Sequence, residues 1–114
     1  MADRITIRKA PGTWSVRAGG AVIAETQNAQ ELSETGYPAR IYFPREDIAM
    51  AFLDRTDKTS TCPYKGDATY FSIVAKNRVI ENAGWSYETP KQGVEAIAGH
   101  IAFMEGDYLQ IEQV

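Results

Sequence analysis

Ten consecutive residues in the middle of the chain, Thr61-Cys62-Pro63-Tyr64-Lys65-Gly66-Asp67-Ala68-Thr69-Tyr70, hold the only cysteine, a lysine, a turn glycine and two tyrosines. A cysteine attacks as its thiolate, and a nearby cation favours that form. Lys58, Lys65 and His100 are the cations available for this, so Cys62 and Lys65 are the candidate catalytic residues. The competing role for Cys62 is that of a small buried hydrophobe, which is common for a free cysteine. Lys65 is also a candidate for ligand binding, since its ammonium offers three N–H donors to an anion. The Lys65-Gly66 step is not a phosphate loop: no glycine-rich turn precedes the lysine, and no Ser or Thr follows it.

Two other stretches carry candidate residues. In Arg45-Glu46-Asp47 the two carboxylates suit the positive end of a helix. Arg45 opposes that dipole, so it needs a partner, either a structural carboxylate in a planar bidentate pair or a ligand anion. Tyr42, Tyr64, Tyr70, Trp85 and Tyr87 supply apolar rings with polar tips, the composition of a small-molecule pocket, and each competes with plain core packing. Trp85 and Tyr87 are two apart, so a strand puts both on one face. A metal centre is not expected, because one His and one Cys cannot complete a tetrahedral shell and no carboxylates are spaced to do so. His100 reads as a cation at the end of a helix. No cofactor is expected.

These residues must be positioned by short strands. Ile5 and Ile7 alternate with polar residues, and Trp14, Val16 and Ala18 do the same before Gly19-Gly20 turns the chain into Ala21-Val22-Ile23-Ala24. Residues 27–36 lack either period and read as a connection. A strand at 40–43 ends at Pro44, where a helix over 44–53 is expected from Ile48, Ala51 and Phe52. The segment around Cys62 reads as loop. Strands follow at 69–75 and 78–82, closed by Lys76-Asn77, and extended chain returns at 85–87. Thr89-Pro90-Lys91-Gln92 has a capping pattern, and Val94, Ile97, Ala98 and Ile101 predict a second helix over 90–99. Residues 101–103 and 108–111 read as closing strands.

Composition narrows the function classes. At 114 residues, with 44% hydrophobic and 24% charged residues, one domain over 1–114 is expected. A net charge of -3 argues against DNA or RNA as a partner, which would demand clustered surplus Lys and Arg. A single cysteine points to the reducing cytoplasm. No run approaches the roughly 18 apolar residues of a membrane span, and residues 1–6 lack the apolar core of an export signal.

From Tyr42-Phe43-Pro44-Arg45-Glu46-Asp47-Ile48 through the Cys62 stretch to Glu81-Asn82-Ala83-Gly84-Trp85-Ser86-Tyr87-Glu88-Thr89-Pro90, the chain resembles the family of domain of unknown function 427. That resemblance implies a mainly β fold, the β-tent: two antiparallel sheets leaning together over a groove, here with two short helices. It also places Cys62, Tyr64, Lys65 and Gly66 within the main signature, with Arg45-Glu46-Asp47 as a second part. Better-known β-tent proteins hold zinc with a Cys-x-x-Cys pair on each sheet, and this chain departs from that pattern because Cys62 is alone. The family is also labelled nucleotidyltransferase-like. That chemistry needs paired carboxylates for Mg2+ beside a Gly-Ser turn, and Asp54 and Asp57 have no such turn before them.

The sequence therefore points to a small-molecule-binding domain, with enzymatic chemistry left open. Its groove is expected to be lined by Cys62, Lys65 and the aromatic cluster of Tyr64, Tyr70, Trp85 and Tyr87, with Arg45 as a further ligand-binding candidate. The alternative is a protein- or peptide-interaction module using the same aromatic face.

Overall fold

The computed structural model of the protein describes residues 4–114. Ten strands follow one another in these residues: β1 (Ile5–Lys9), β2 (Trp14–Ala18), β3 (Ala21–Thr26), β4 (Gln30–Glu34), β5 (Arg40–Tyr42), β6 (Leu53–Cys62), β7 (Gly66–Val74), β8 (Val79–Ser86), β9 (Ala102–Phe103) and β10 (Leu109–Gln113). They form three antiparallel sheets, ordered β1-β4-β5, β10-β2-β3 and β6-β7-β8-β9. Two of the sheets are tied together through the backbone. Phe43 and Ile101 exchange both backbone hydrogen bonds at 2.9 Å, which joins the end of β5 to the chain entering β9.

Strand alternation in β7 builds a separate core on each face of the four-stranded sheet. Phe71 and Ile73 pack with Val16, Ile23, Phe43, Phe103 and Leu109 under the β10-β2-β3 sheet. Ala68 and Tyr70 face the other way, toward Leu32, Tyr42, Tyr87 and Ile97. Fully burying one such aliphatic or aromatic side chain contributes about 1.5–3 kcal/mol, so each layer holds its neighbour in place.

Both strands beside β7 bulge at the same level. Arg55 pairs with Phe71 and Thr59 with Thr69, so residues 56–58 of β6 stand opposite Tyr70 alone. On the other side Gly84 pairs with Phe71 and Ile80 with Ile73, so residues 81–83 of β8 stand opposite Ser72. Asn82 takes the left-handed conformation there, with φ of 51°, a conformation that asparagine tolerates better than most residues. Its N–H bonds the Ser72 hydroxyl at 3.0 Å in place of a ladder partner.

Several expectations need correction. The sheets number three rather than two, and neither expected helix forms. Residues 44–53 contain only 3-10 turns at Arg45–Asp47 and Met50–Phe52. Between them Ile48 is extended and bridges Ala24, and the Ala49 N–H bonds the Ile23 carbonyl at 2.8 Å, so tertiary pairing with β3 captures the backbone a helix would have used. Residues 90–99 contain one 3-10 turn, Glu95–Ile97, preceded by Gly93 with φ of 99°. Of that expected apolar stripe, Val94, Ile97 and Ile101 are buried and Ala98 is exposed, and the i, i+3 spacing of Val94 and Ile97 suits a 3-10 turn as well as an α-helix. Two segments read as connections are strands. In β4 Leu32 is the one buried residue, and in β6 Leu53 is, so neither displays an alternating pattern. Cys62 thus ends a strand instead of lying in a long loop. No helix among the described residues is long and apolar enough to cross a membrane.

Candidate functional site

A cleft of about 480 Å³ opens between the β1-β4-β5 sheet and the four-stranded sheet. Its floor is a cross-strand pair, Tyr70 of β7 opposite Trp85 of β8. The indole N–H of Trp85 donates to the Tyr42 hydroxyl of β5 at 3.1 Å, a direct bond between the two sheets. Tyr70 shares a 3.0 Å hydrogen bond with Ser60 of β6. Tyr87, just past β8, closes the wall beside Cys62 and Lys65. Burial pushes the Tyr42 phenol well up, against the lowering effect of the Trp85 bond. It raises Tyr87 too, with Lys65 opposing. Both are neutral phenols near pH 7.

One end of the cleft is built by the β6–β7 hairpin. Cys62 pairs with Gly66 across a turn of residues 63–65, and Gly66 takes φ of 113°. The turn sends its side chains in opposite directions. Lys65 points inward and donates to Glu34 of β4 at 2.7 Å, with side chains only 12% and 10% exposed. Burial works against the Lys65 charge, but the bond to Glu34 and the neighbouring Tyr87 and Cys62 outweigh it and hold its pKa above the usual value. Arg4 approaches the second Glu34 oxygen at 3.6 Å. Tyr64 points outward, 47% exposed, and its ring carries the Arg4 guanidinium at 4.1 Å.

At the other end stand Lys58 and Asn82, from the two bulges. The Thr56 hydroxyl connects them: it donates to Asn82 Oδ1 at 2.6 Å and accepts the Lys58 backbone N–H at 3.3 Å. Arg40 of β5 completes the rim, its guanidinium 5.5 Å from the Trp85 ring, and the Lys58 ammonium lies 4.9 Å from the Tyr70 ring.

Arg45 is not in the cleft. It lies on the opposite face of the sheet, where it donates to Glu88 at 2.6 Å and to the Gly99 carbonyl at 2.7 Å. Arg55 bonds the same carboxylate at 2.8 Å, and both guanidinium groups stand over the Phe71 ring. The hydrogen bond from Arg55 is the main cause holding Glu88 down at a pKa of about 2; burial opposes it and Arg45 reinforces it.

A family model described as a domain of unknown function (DUF427) matches residues 6–114. The chain belongs to the DUF427 family. No curated protein matches it in sequence. The residues that carry the resemblance divide between two places: Cys62 and Lys65 border the cleft, while Arg45 holds the 88–99 segment to the sheet. Asp54 and Asp57 are both exposed on β6. Among the described residues of this DUF427 chain, no three His, Cys, Asp or Glu side chains converge as a metal site would require.

Of the expected site residues, the fold brings together Cys62, Lys65, Tyr70, Trp85 and Tyr87, and leaves out Tyr64 and Arg45. Among the cleft residues not singled out by sequence are Leu32 and Glu34, which come from a segment read as connection; Arg40, which opens a strand with no chemical partner nearby in sequence; and Asn82, whose only local signal is that asparagine tolerates positive φ. His100 ends no helix; its ring Nδ1 lies 3.1 Å from the Ala98 carbonyl.

Proposed function

We propose that this DUF427 chain is a small-molecule-binding protein whose site is the cleft between the β1-β4-β5 sheet and the four-stranded sheet, in a β-tent arrangement. The observation that carries this reading is the convergence of Tyr42, Tyr70, Trp85 and Tyr87 with a nearly buried Lys65–Glu34 pair around one concavity. Flat rings supply apolar walls, and the ion pair supplies a donor and an acceptor at fixed positions, the composition of sites that bury small ligands. Its volume of about 480 Å³ lies within the range of such sites. A concave site with inward-pointing polar groups suits a small molecule better than a peptide, which needs a long groove or an open strand edge. The lone thiol, Cys62, fits a reducing, cytoplasmic setting.

The test is a native mass spectrum of the purified protein beside its Lys65→Met and Trp85→Leu variants. A bound small molecule is expected on the parent and is expected to be lost from both variants while their far-UV spectra stay unchanged. A parent free of small molecules that instead retains a peptide or protein partner, with Trp85→Leu abolishing that retention, would replace this reading with the interaction-module alternative.

A further inference from the structure

We infer that the cleft selects planar or apolar rings that carry an anionic group, a carboxylate, sulfonate or phosphate, and that Arg40 and Lys58 are the residues that recognise the anion. This rests on the reading of the cleft as a small-molecule site and adds the ligand's chemical class. Three cations line the cleft, Arg40, Lys58 and Lys65, against one carboxylate, Glu34. Lys65 and Glu34 neutralise each other at 2.7 Å. Arg40 and Lys58 remain. Among the described residues neither forms an ion pair, although the protein as a whole has a net charge of -3 and most of its other arginines are paired with carboxylates.

Their placement follows from the fold. Arg40 opens β5 on one sheet and Lys58 sits in the β6 bulge of the other, so the two charges come from opposite sides of the cleft. Each lies over one ring of the Tyr70–Trp85 floor, at 4.9 Å from the centroid for Lys58 and 5.5 Å for Arg40. A ligand entering the cleft between them therefore has a cation on each side. Asn82 lines the same end of the cleft as Lys58: Thr56 occupies its Oδ1, and its NH2 has no partner among the described residues. An anion there would meet a guanidinium, an ammonium and a neutral N–H donor, all favourable to negative charge. Bulges on both sides of one strand and an asparagine at positive φ are the kind of local departure from regular pairing that clusters at binding sites.

Two fluorescent probes that differ only by the anion separate this inference from the reading beneath it: 1-anilinonaphthalene-8-sulfonate and its neutral parent N-phenyl-1-naphthylamine. Each is titrated into the parent protein and into Arg40→Met, Lys58→Met and Trp85→Leu, with melting temperatures confirming the fold. The sulfonate is expected to bind the parent more tightly, and Arg40→Met and Lys58→Met are each expected to weaken it by about three- to tenfold while leaving the neutral probe unchanged. In the parent, raising NaCl from about 0.02 M to about 0.5 M is expected to weaken the sulfonate alone. Equal affinities for the two probes, or equal losses of both in the cation variants, would overturn the anion assignment and leave the cleft reading standing. Binding of neither probe, or binding that Trp85→Leu leaves unchanged, would overturn both.

Discussion

Trp85 and Tyr42 are joined by a 3.1 Å hydrogen bond that runs from the four-stranded sheet to the β1-β4-β5 sheet across the cleft floor. Tyr42 is 1% exposed, so its hydroxyl has little access to water if the indole is removed. A buried hydroxyl left without a partner costs about 1–3 kcal/mol, whereas removing both partners avoids that penalty. Trp85→Phe is therefore expected to destabilise the protein by more than the lost ring volume alone would. Adding Tyr42→Phe in the same chain is expected to recover part of that loss. Urea unfolding of the two single variants and the double variant checks this through the coupling in the cycle; a coupling near zero would mean the bond holds nothing.

The Lys65–Glu34 pair behaves in the same way with charges. Replacing Glu34 leaves Lys65 nearly buried and unpaired, whereas replacing Lys65 leaves Glu34 with Arg4 at 3.6 Å, so Glu34→Gln is expected to cost roughly 2 kcal/mol and Lys65→Met less, both below the cost for a fully dry pair because this one borders the cleft. The double variant is expected to be more stable than either single one. Lys65 titrates above its ordinary value of 10.5 in the folded chain, so the pair contributes fully below that pH and its contribution is lost only above it. Comparing melting temperatures of the parent and the double variant from pH 7 upward checks the sign.

Glu88 gives the opposite pH dependence. Its carboxyl sits at about 2 in the folded protein against 4.5 ordinarily, so its stabilisation is present above pH 4.5 and is lost as the pH falls from 4.5 toward 2. Its side chain is about a third exposed, so solvent screening keeps the contribution modest. Glu88→Gln is expected to flatten the pH dependence of the urea midpoint in that window and to loosen the 88–99 segment, which Arg45 fastens to the sheet. An unchanged slope in the variant would assign the acid sensitivity elsewhere.

Gly66 closes the hairpin that carries Cys62 and Lys65. Its φ of 113° is strained for any residue with a side chain, while an added Cβ would meet its nearest atom, the Thr89 carbonyl oxygen, at an ordinary 3.5 Å. The cost of Gly66→Val is therefore conformational rather than steric, about 1 kcal/mol or more. Because Lys65 precedes it directly, the variant is also expected to weaken binding in the cleft. A melting curve identical to that of the parent would show that the turn relaxes freely.

The family, the mainly β class and most of the strands were legible in the chain before folding, because alternating side chains at 14–18 and the hairpin signals at Gly19-Gly20 and Lys76-Asn77 are local properties. The sequence also placed Trp85 and Tyr87 together, since two residues of one extended segment share a face. The tertiary structure decided what local signals could not carry. β4 and β6 are strands because their neighbours supply hydrogen bonds, not because their own side chains alternate. The helix expected at 44–53 gave way where Ile48 pairs with Ala24, a contact between residues 24 positions apart. Glu34 meets Lys65, and Arg40 and Lys58 flank the Tyr70–Trp85 floor, only when two sheets are laid side by side. Cross-sheet juxtaposition depends on register and bulges summed over many strands, and no window of sequence contains it.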